Sequence, residues 1–238
     1  MARQSTEEQE PKPRPGRRPG RKPRKDDGPS SEKGSRAVEW AKMLLWVAAL
    51  TIVLRVSVIE AYRITSGSME DTILPGETIL GNKFIYGARL PLLPVRLPAL
   101  RQPRPGDIIV FKHPVEIGER LVKRVIAVEG QQLEIREKQV FLDGVPVPLP
   151  GTAKLTDPMI QPMGISSRDF LGPARVPPGK LFVMGDNRDQ SLDGRAWGFL
   201  DRDAILARAM FVVYSWDMDD HGPFWRRIRW RRFFHLLR

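Results

Sequence analysis

An apolar run near the start of the chain, "AVEWAKMLLWVAALTIVLRVSVIEAY", restricts its architecture more than any other feature. From Met43 to Leu54 the run carries no charge, and its apolar character continues past Arg55 to Ile59. A helix that spans a bilayer needs about 20 mostly apolar residues, with roughly 17 as the lower limit. Residues 43–59 just reach that limit. An arginine near a helix end can extend its head to the membrane interface. Trp40, Trp46 and Tyr62 suit interfacial positions. The pattern predicts a transmembrane anchor helix over 37–61, with a helix lying on a surface or buried in a core as the alternative. The run is long for the apolar part of a cleaved export signal, and "SVIEAYRITSG" after it offers no clean small-x-small cleavage site. Basic residues before a span stay in the cytoplasm, which sends the following chain to the outer face.

The net charge of +11 invites a nucleic-acid reading, and its distribution argues against one. Residues 1–36 carry 11 basic and 6 acidic side chains, and residues 221–238 carry 6 arginines and no acid. Those two ends hold the whole excess, +5 and +6, so residues 37–220 are formally neutral. Residues 1–36 are rich in Pro, Gly, Lys and Arg and read as a disordered basic tail. The end, "FWRRIRWRRFFHLLR", is a basic aromatic segment over 221–238. The alternation of Ile228 and Trp230 with arginines suits a short strand. The segment either lies exposed, touching lipid, or packs against the domain.

Between these ends, residues 62–220 read as a mainly β domain. "GDIIVFKHP", "RLVKRVIAVEG", "QQLEIREKQVFLDGVPV", "GKLFVMGDN" and "ARAMFVVYSW" are short runs rich in Val, Ile and Phe, separated by Gly, Pro and Asp-Gly. Asp143-Gly144 between apolar runs is a strong hairpin signal. The expected fold is an antiparallel β-sheet domain preceded by one transmembrane helix and the basic tail.

The chain has no cysteine, which excludes disulfides, thiolate metal sites and a cysteine nucleophile. Two serines flank a glycine in "ITSGSMEDTI", a few residues past the apolar run. A serine is a weak nucleophile unless a base takes its proton. His113, His221 and His235 are the three histidines, and none has a convincing acidic partner. They read as ordinary turn or surface residues, and no zinc set is evident. A neutral lysine can serve as the base if burial lowers its pKa. In "RLVKRVIAV" alternation sets Leu121, Lys123 and Val125 on one face. A lysine sharing a face with aliphatics suggests desolvation, although the plainer reading of the pattern is a strand-edge lysine with its head in water. Lys112 competes as a base, but it ends its strand before Pro114 and is expected to be solvated.

"SGSM", "GDIIVFK", "LVKRVIAVEG" and "VPPGKLFVMGDNRDQSLDGRAWGF" follow the apolar run in this order. Over roughly residues 40–216 the chain resembles the bacterial type I signal peptidases, membrane-bound serine-lysine endopeptidases. The resemblance implies Ser68 as nucleophile and Lys123 as general base. It implies that Ser66 and the Ser68 N–H form the oxyanion hole and that Ser191 orients the lysine. Asp193 and Arg195 match a supporting ion pair, with Gly185 and Asp186 as structural neighbours. Tyr62, Ile64, Met69, Ile73, Leu121 and Val122 match the lining of shallow pockets for small substrate side chains. Two positions depart from the pattern, Thr65 and Asp71, where the family often has Pro.

By the same resemblance the substrates are signal-peptide-bearing preproteins and the other partner is membrane lipid. The enzyme is expected to be monomeric, in the bacterial plasma membrane with its catalytic domain outside, and to need no metal, cofactor or nucleic acid. The rival reading is a non-enzymatic, membrane-tethered β domain that binds lipid or nucleic acid through its basic ends. It would leave Ser68 and Lys123 dispensable and make binding fall steeply with salt.

Overall fold

The computed structural model describes residues 30–87 and 98–238. Helix α1 runs from Ser30 to Val58. The basic tail therefore falls mostly outside the described residues, and its expected last residues, 30–36, belong to the helix. No proline follows Pro29 in this stretch.

The expected transmembrane span is thus a helix, but among the described residues no helix is long and apolar enough to cross a membrane. Its large apolar side chains Leu44, Leu45, Trp46 and Leu50 are nonetheless exposed.

From Ile59 onward the chain is β-rich, as expected. The strands are β1 (Ile59–Arg63), β2 (Glu77–Asn82), β3 (Ile108–Lys112), β4 (Arg120–Val128), β5 (Gln132–Arg136), β6 (Gln139–Leu142) and β7 (Val145–Pro146). There follow β8 (Leu171–Arg175), β9 (Lys180–Met184), a one-turn helix α2 (Gly194–Trp197), β10 (Leu200–Asp201), β11 (Ile205–Ser215) and a short helix α3 (Phe224–Arg227). They form an antiparallel seven-stranded sheet, β1-β2-β11-β3-β4-β9-β10, and an antiparallel four-stranded sheet, β7-β6-β5-β8.

Strand β3 shows why the large sheet is buried on both faces. Ile108 and Val110 join one apolar cluster with Tyr62, Ile79 and Val212. Ile109 and Phe111, pointing the other way, join a second with Val125, Val183 and Ile205. A third cluster carries Leu133, Ile135 and Val140 of the small sheet onto Phe182 and Met184. Between β6 and β7 lies the expected two-residue hairpin turn, with Asp143 at φ 50° and Gly144 at φ 81°. Positive φ at both positions is the turn geometry that matches strand twist.

The C-terminal segment packs against the domain through some residues and stays exposed through others. Arg232 donates to the fully buried Glu77 at 2.7 and 2.9 Å, and Leu237 is buried in the first cluster. Phe224, Trp225, Trp230 and Phe234 remain exposed. The strand expected around Ile228 and Trp230 is reduced to a single bridge between Trp216 and Ile228.

Asp71 has φ 72°, in the left-handed region. A proline ring holds φ near −65°, so the residue common in the family does not fit this backbone. Asp71→Pro is expected to destabilise the domain by more than about 1 kcal/mol, whereas Asp71→Gly should cost nothing or stabilise slightly. Urea denaturation of the two variants checks this, and a Pro variant as stable as the parent would refute it.

Candidate active site

The turn after β1 carries Ser66 and Ser68, and β4 carries Lys123. Between them Ser68 Oγ and Lys123 Nζ lie 2.5 Å apart, hydrogen-bonded. Lys123 is 2% exposed, among the most buried large side chains of the domain. That settles the ambiguity of the strand pattern in favour of desolvation. Burial draws its pKa down from the ordinary lysine value to about 8, helped by the charge of Arg195 and opposed by Asp193, Asp186 and Glu119. Ser66 Oγ stands 3.4 Å from Ser68 Oγ and is exposed. The Ser68 N–H has no hydrogen-bond acceptor among the described residues.

The loop after β9 locks the serine turn in place. The Asn187 N–H donates to the Ser68 carbonyl at 3.1 Å, and its side-chain amide donates to the Gly67 carbonyl and to Glu70 at 3.2 Å each. A Cβ on Gly185 would overlap the Ser68 carbonyl and the Ser191 hydroxyl, so only glycine allows the two segments to approach this closely. Asp186 accepts from Arg124 through two hydrogen bonds, 2.8 and 2.6 Å, and from Thr72 at 2.5 Å. Arg124 also donates to the carbonyls of Gly106 and Arg238.

Asp193 and Arg195 form the expected ion pair, with both bonds at 2.9 Å. Asp193 also accepts from the Gly185 N–H at 2.9 Å. Burial alone would raise its pKa, but Arg195 outweighs burial, and the carboxyl is held below its ordinary range. Ser191 packs against Gly185, as its Cβ contact shows. Its hydroxyl is buried and makes no well-formed hydrogen bond, to Lys123 or otherwise, though it lies near enough to Asp193 to help hold that carboxyl low.

The expected pocket residues divide between two clusters. Tyr62, Ile64, Met69 and Ile73 are buried together, with the half-buried Val122 packed against them. Leu121 joins the opposite cluster beside Tyr86 and Phe111. The competing bases are placed elsewhere. Lys112 is exposed at the end of β3, and His113 Nδ1 accepts from the N–H groups of Val115 and Glu116, capping its own turn.

Sequence reasoning did not single out Thr72, Arg124 and Asn187, which fasten the serine turn. Arg124 and Asn187 lie inside the quoted motifs, directly after Lys123 and Asp186.

A buried amine poised on a serine hydroxyl, with free N–H and hydroxyl donors alongside, is the equipment for nucleophilic attack on a carbonyl. Comparison with known proteins agrees. The family described as signal peptidase, peptidase S26, matches residues 37–216. Signal peptidase I of Pseudomonas aeruginosa is 33% identical over 207 residues, 75% of this chain and 73% of its own. Signal peptidase I of Rickettsia bellii is 30% identical over 230 residues, covering 80% and 79%. A probable signal peptidase I-1 of Synechocystis sp. is 33% identical over 180 residues, covering 72% and 80%. The crystal structure of a signal peptidase I from Enterococcus faecalis superposes with a TM-score of 0.37 and 26% identity, covering 45% of this chain and 97% of that one.

Proposed function

The chain belongs to the signal peptidase family, peptidase S26, and is a serine endopeptidase that cleaves signal peptides; we propose that Ser68 and Lys123 carry the reaction as a nucleophile–base dyad. The observation that supports this most is the 2.5 Å contact between Ser68 Oγ and a lysine that is almost wholly buried.

Neutral Lys123 takes the hydroxyl proton as Ser68 Oγ attacks the carbonyl carbon at the cleavage site. The Ser68 N–H and the Ser66 hydroxyl stabilise the oxyanion, a contribution of about 10²–10³ in rate per donor in comparable sites. The protonated amine returns its proton to the leaving nitrogen, and the mature protein departs. Lys123 then activates a water that hydrolyses the acyl-enzyme. Asp193 and Arg195 act on the lysine through their charges, and Ser191 acts on it through Asp193 rather than by a hydrogen bond of its own. Met69 and Ile73 form a filled floor beneath the serine turn, which supports a preference for small substrate side chains over that floor. With Tyr62, Ile64, Leu121 and Val122 they are the residues to which we assign substrate contact.

Only the neutral amine is a base, so the pKa of Lys123 sets the pH profile. At a pKa near 8, roughly a tenth of the enzyme is active at pH 7, and most of it above pH 9. Activity should therefore rise through pH 8 and stay high into the mildly alkaline range. A rate–pH curve with its rising limb above pH 10, the ordinary lysine range, would contradict the burial argument.

Attachment to the membrane is assigned to α1, whose large apolar side chains Leu44, Leu45, Trp46, Leu50 and Ile52 are exposed. The N-terminus lies in the cytoplasm and the catalytic domain on the outer face of the bacterial plasma membrane. Protease added to intact spheroplasts should digest the catalytic domain and spare an N-terminal tag. The function itself is tested by incubating the detergent-solubilised full chain with a preprotein bearing an Ala-x-Ala site. Release of the mature protein with the authentic N-terminus is the expected result. A well-folded enzyme that cuts no preprotein would overturn the assignment.

A further inference from the structure

A cavity of about 330 Å³ lies between β4, the β6–β7 hairpin and the loop that follows it. Neither Ser68 nor Lys123 borders it. One wall is apolar, formed by Val140, Val147, Leu149 and Leu155, and three cations also line it, Arg124, Lys138 and Arg188.

Two of those cations are already committed. Arg124 is held by Asp186 and two backbone carbonyls. Lys138 pairs with Asp189 at 2.9 Å and donates to the Asp157 carbonyl. Arg188 is different. It is 4% exposed, its Nε is sealed from solvent without an acceptor, and its guanidinium makes no ion pair or hydrogen bond among the described residues. Asp186 attracts it electrostatically but is occupied by Arg124 and Thr72. Glu137, exposed at the rim, forms no ion pair with any of the three. Burial without a counter-ion draws the Arg188 pKa down to about 10. A buried charge lacking a partner is strongly unfavourable. An anion in the cavity would offset that cost, and a guanidinium presents paired donors suited to a carboxylate or phosphate.

We propose that this cavity binds an oxyanion with a single short apolar body, the anionic group on Arg188 and the apolar part against Val140, Val147 and Leu149. The volume suits one short chain. A lipid headgroup with a shortened chain and a soluble phosphate ester share this chemistry.

The test uses the full chain in detergent with hexyl phosphate, followed by titration calorimetry and by ³¹P line broadening. Hexanol and inorganic phosphate serve as controls for the two halves of the ligand. Hexyl phosphate should bind at millimolar concentrations or below, and at least about tenfold more tightly than either control. Arg188→Met should lose at least about tenfold in affinity and Arg188→Lys less. Because a buried arginine can be needed for folding, Leu149→Glu provides a second variant. It leaves Arg188 in place, sits at a position 42% exposed, and sets a competing carboxylate at the cavity wall, so it too should weaken binding. Displacement by the single-chain lipid hexanoyl-lysophosphatidylglycerol supports the site and identifies a lipid source, and failure to displace supports a soluble ester. The proposal is overturned if hexyl phosphate does not bind, if hexanol or phosphate binds as tightly, or if a folded Arg188→Met or Leu149→Glu variant binds as well as the parent.

Discussion

Lys123→Met is expected to abolish signal-peptide cleavage, by about 10⁴-fold or more, in a protein that folds at least as well as the parent. Without an acceptor for its proton, Ser68 remains a neutral hydroxyl, whatever the oxyanion donors contribute. Methionine fills nearly the same volume, so the packing that buries the position survives. The stability effect follows from the direction of the pKa shift. Because the folded-state pKa lies near 8 and the ordinary value near 10.5, the unfolded chain holds the proton more tightly between those pH values. The lysine therefore opposes folding fully below pH 8, and this penalty fades as pH rises through 8 toward 10.5. Removing the amine should raise the melting temperature at pH 7 and change it little above pH 10. Ser68→Ala should lose as much activity with almost no change in stability. The two losses should not add in the double variant, because each destroys the same unit. Mature-product formation and thermal melts at pH 7 and 10 measure both effects. A folded Lys123→Met protein that retained more than a few per cent of parental activity would require another base. Lys112, exposed, and His113, spent on its own turn, are poorly placed for that role.

The largest expected stability loss comes from Asp186→Ala. Asp186 is fully buried and joins Arg124 of β4 to Thr72 of the serine turn. Its removal leaves the Arg124 guanidinium, 4% exposed, facing an empty space with no carboxylate. Breaking a buried pair in this way costs about 3–5 kcal/mol. For a domain of this size that lowers the melting temperature by roughly 10 °C. The double variant Arg124→Met/Asp186→Leu should recover a large part of the loss, since it removes the stranded charge as well as its partner. Urea denaturation of the two single variants and the double variant gives the coupling directly. A loss below about 1 kcal/mol for Asp186→Ala would mean that water or another acid replaces it. Asp186 also raises the Lys123 pKa, so any residual activity of the Ala variant should shift to lower pH.

Much of this arrangement was legible along the chain, and for local reasons. Asp143-Gly144 specifies its turn because both residues tolerate positive φ, whatever surrounds them. The apolar alternation of "DIIVFK" and "RLVKRVIAV" specifies strands because side chains there point alternately to two faces. Ordered motifs around Ser68, Lys123 and Asp193 pointed to the serine-lysine pair before any geometry was known. The apolar run marked a helix, and the structure has one there, from Ser30 to Val58.

Sequence alone thus determined which segments become strands and where the hairpin turns, since these depend on short-range pattern and residue type, and the family resemblance of its motifs pointed to Ser68 and Lys123. Only the tertiary structure decided that Lys123 is buried rather than at a wet strand edge, because desolvation is a sum over neighbours contributed by distant segments. It alone joined Thr72, Arg124 and Asp186 into one network, with 114 positions between the Thr72 and Asp186 of one hydrogen bond. It also left Arg188 without a counter-ion beside a cavity. A charge run in sequence does not say which cation will be paired, because pairing depends on which carboxylates the fold has already used.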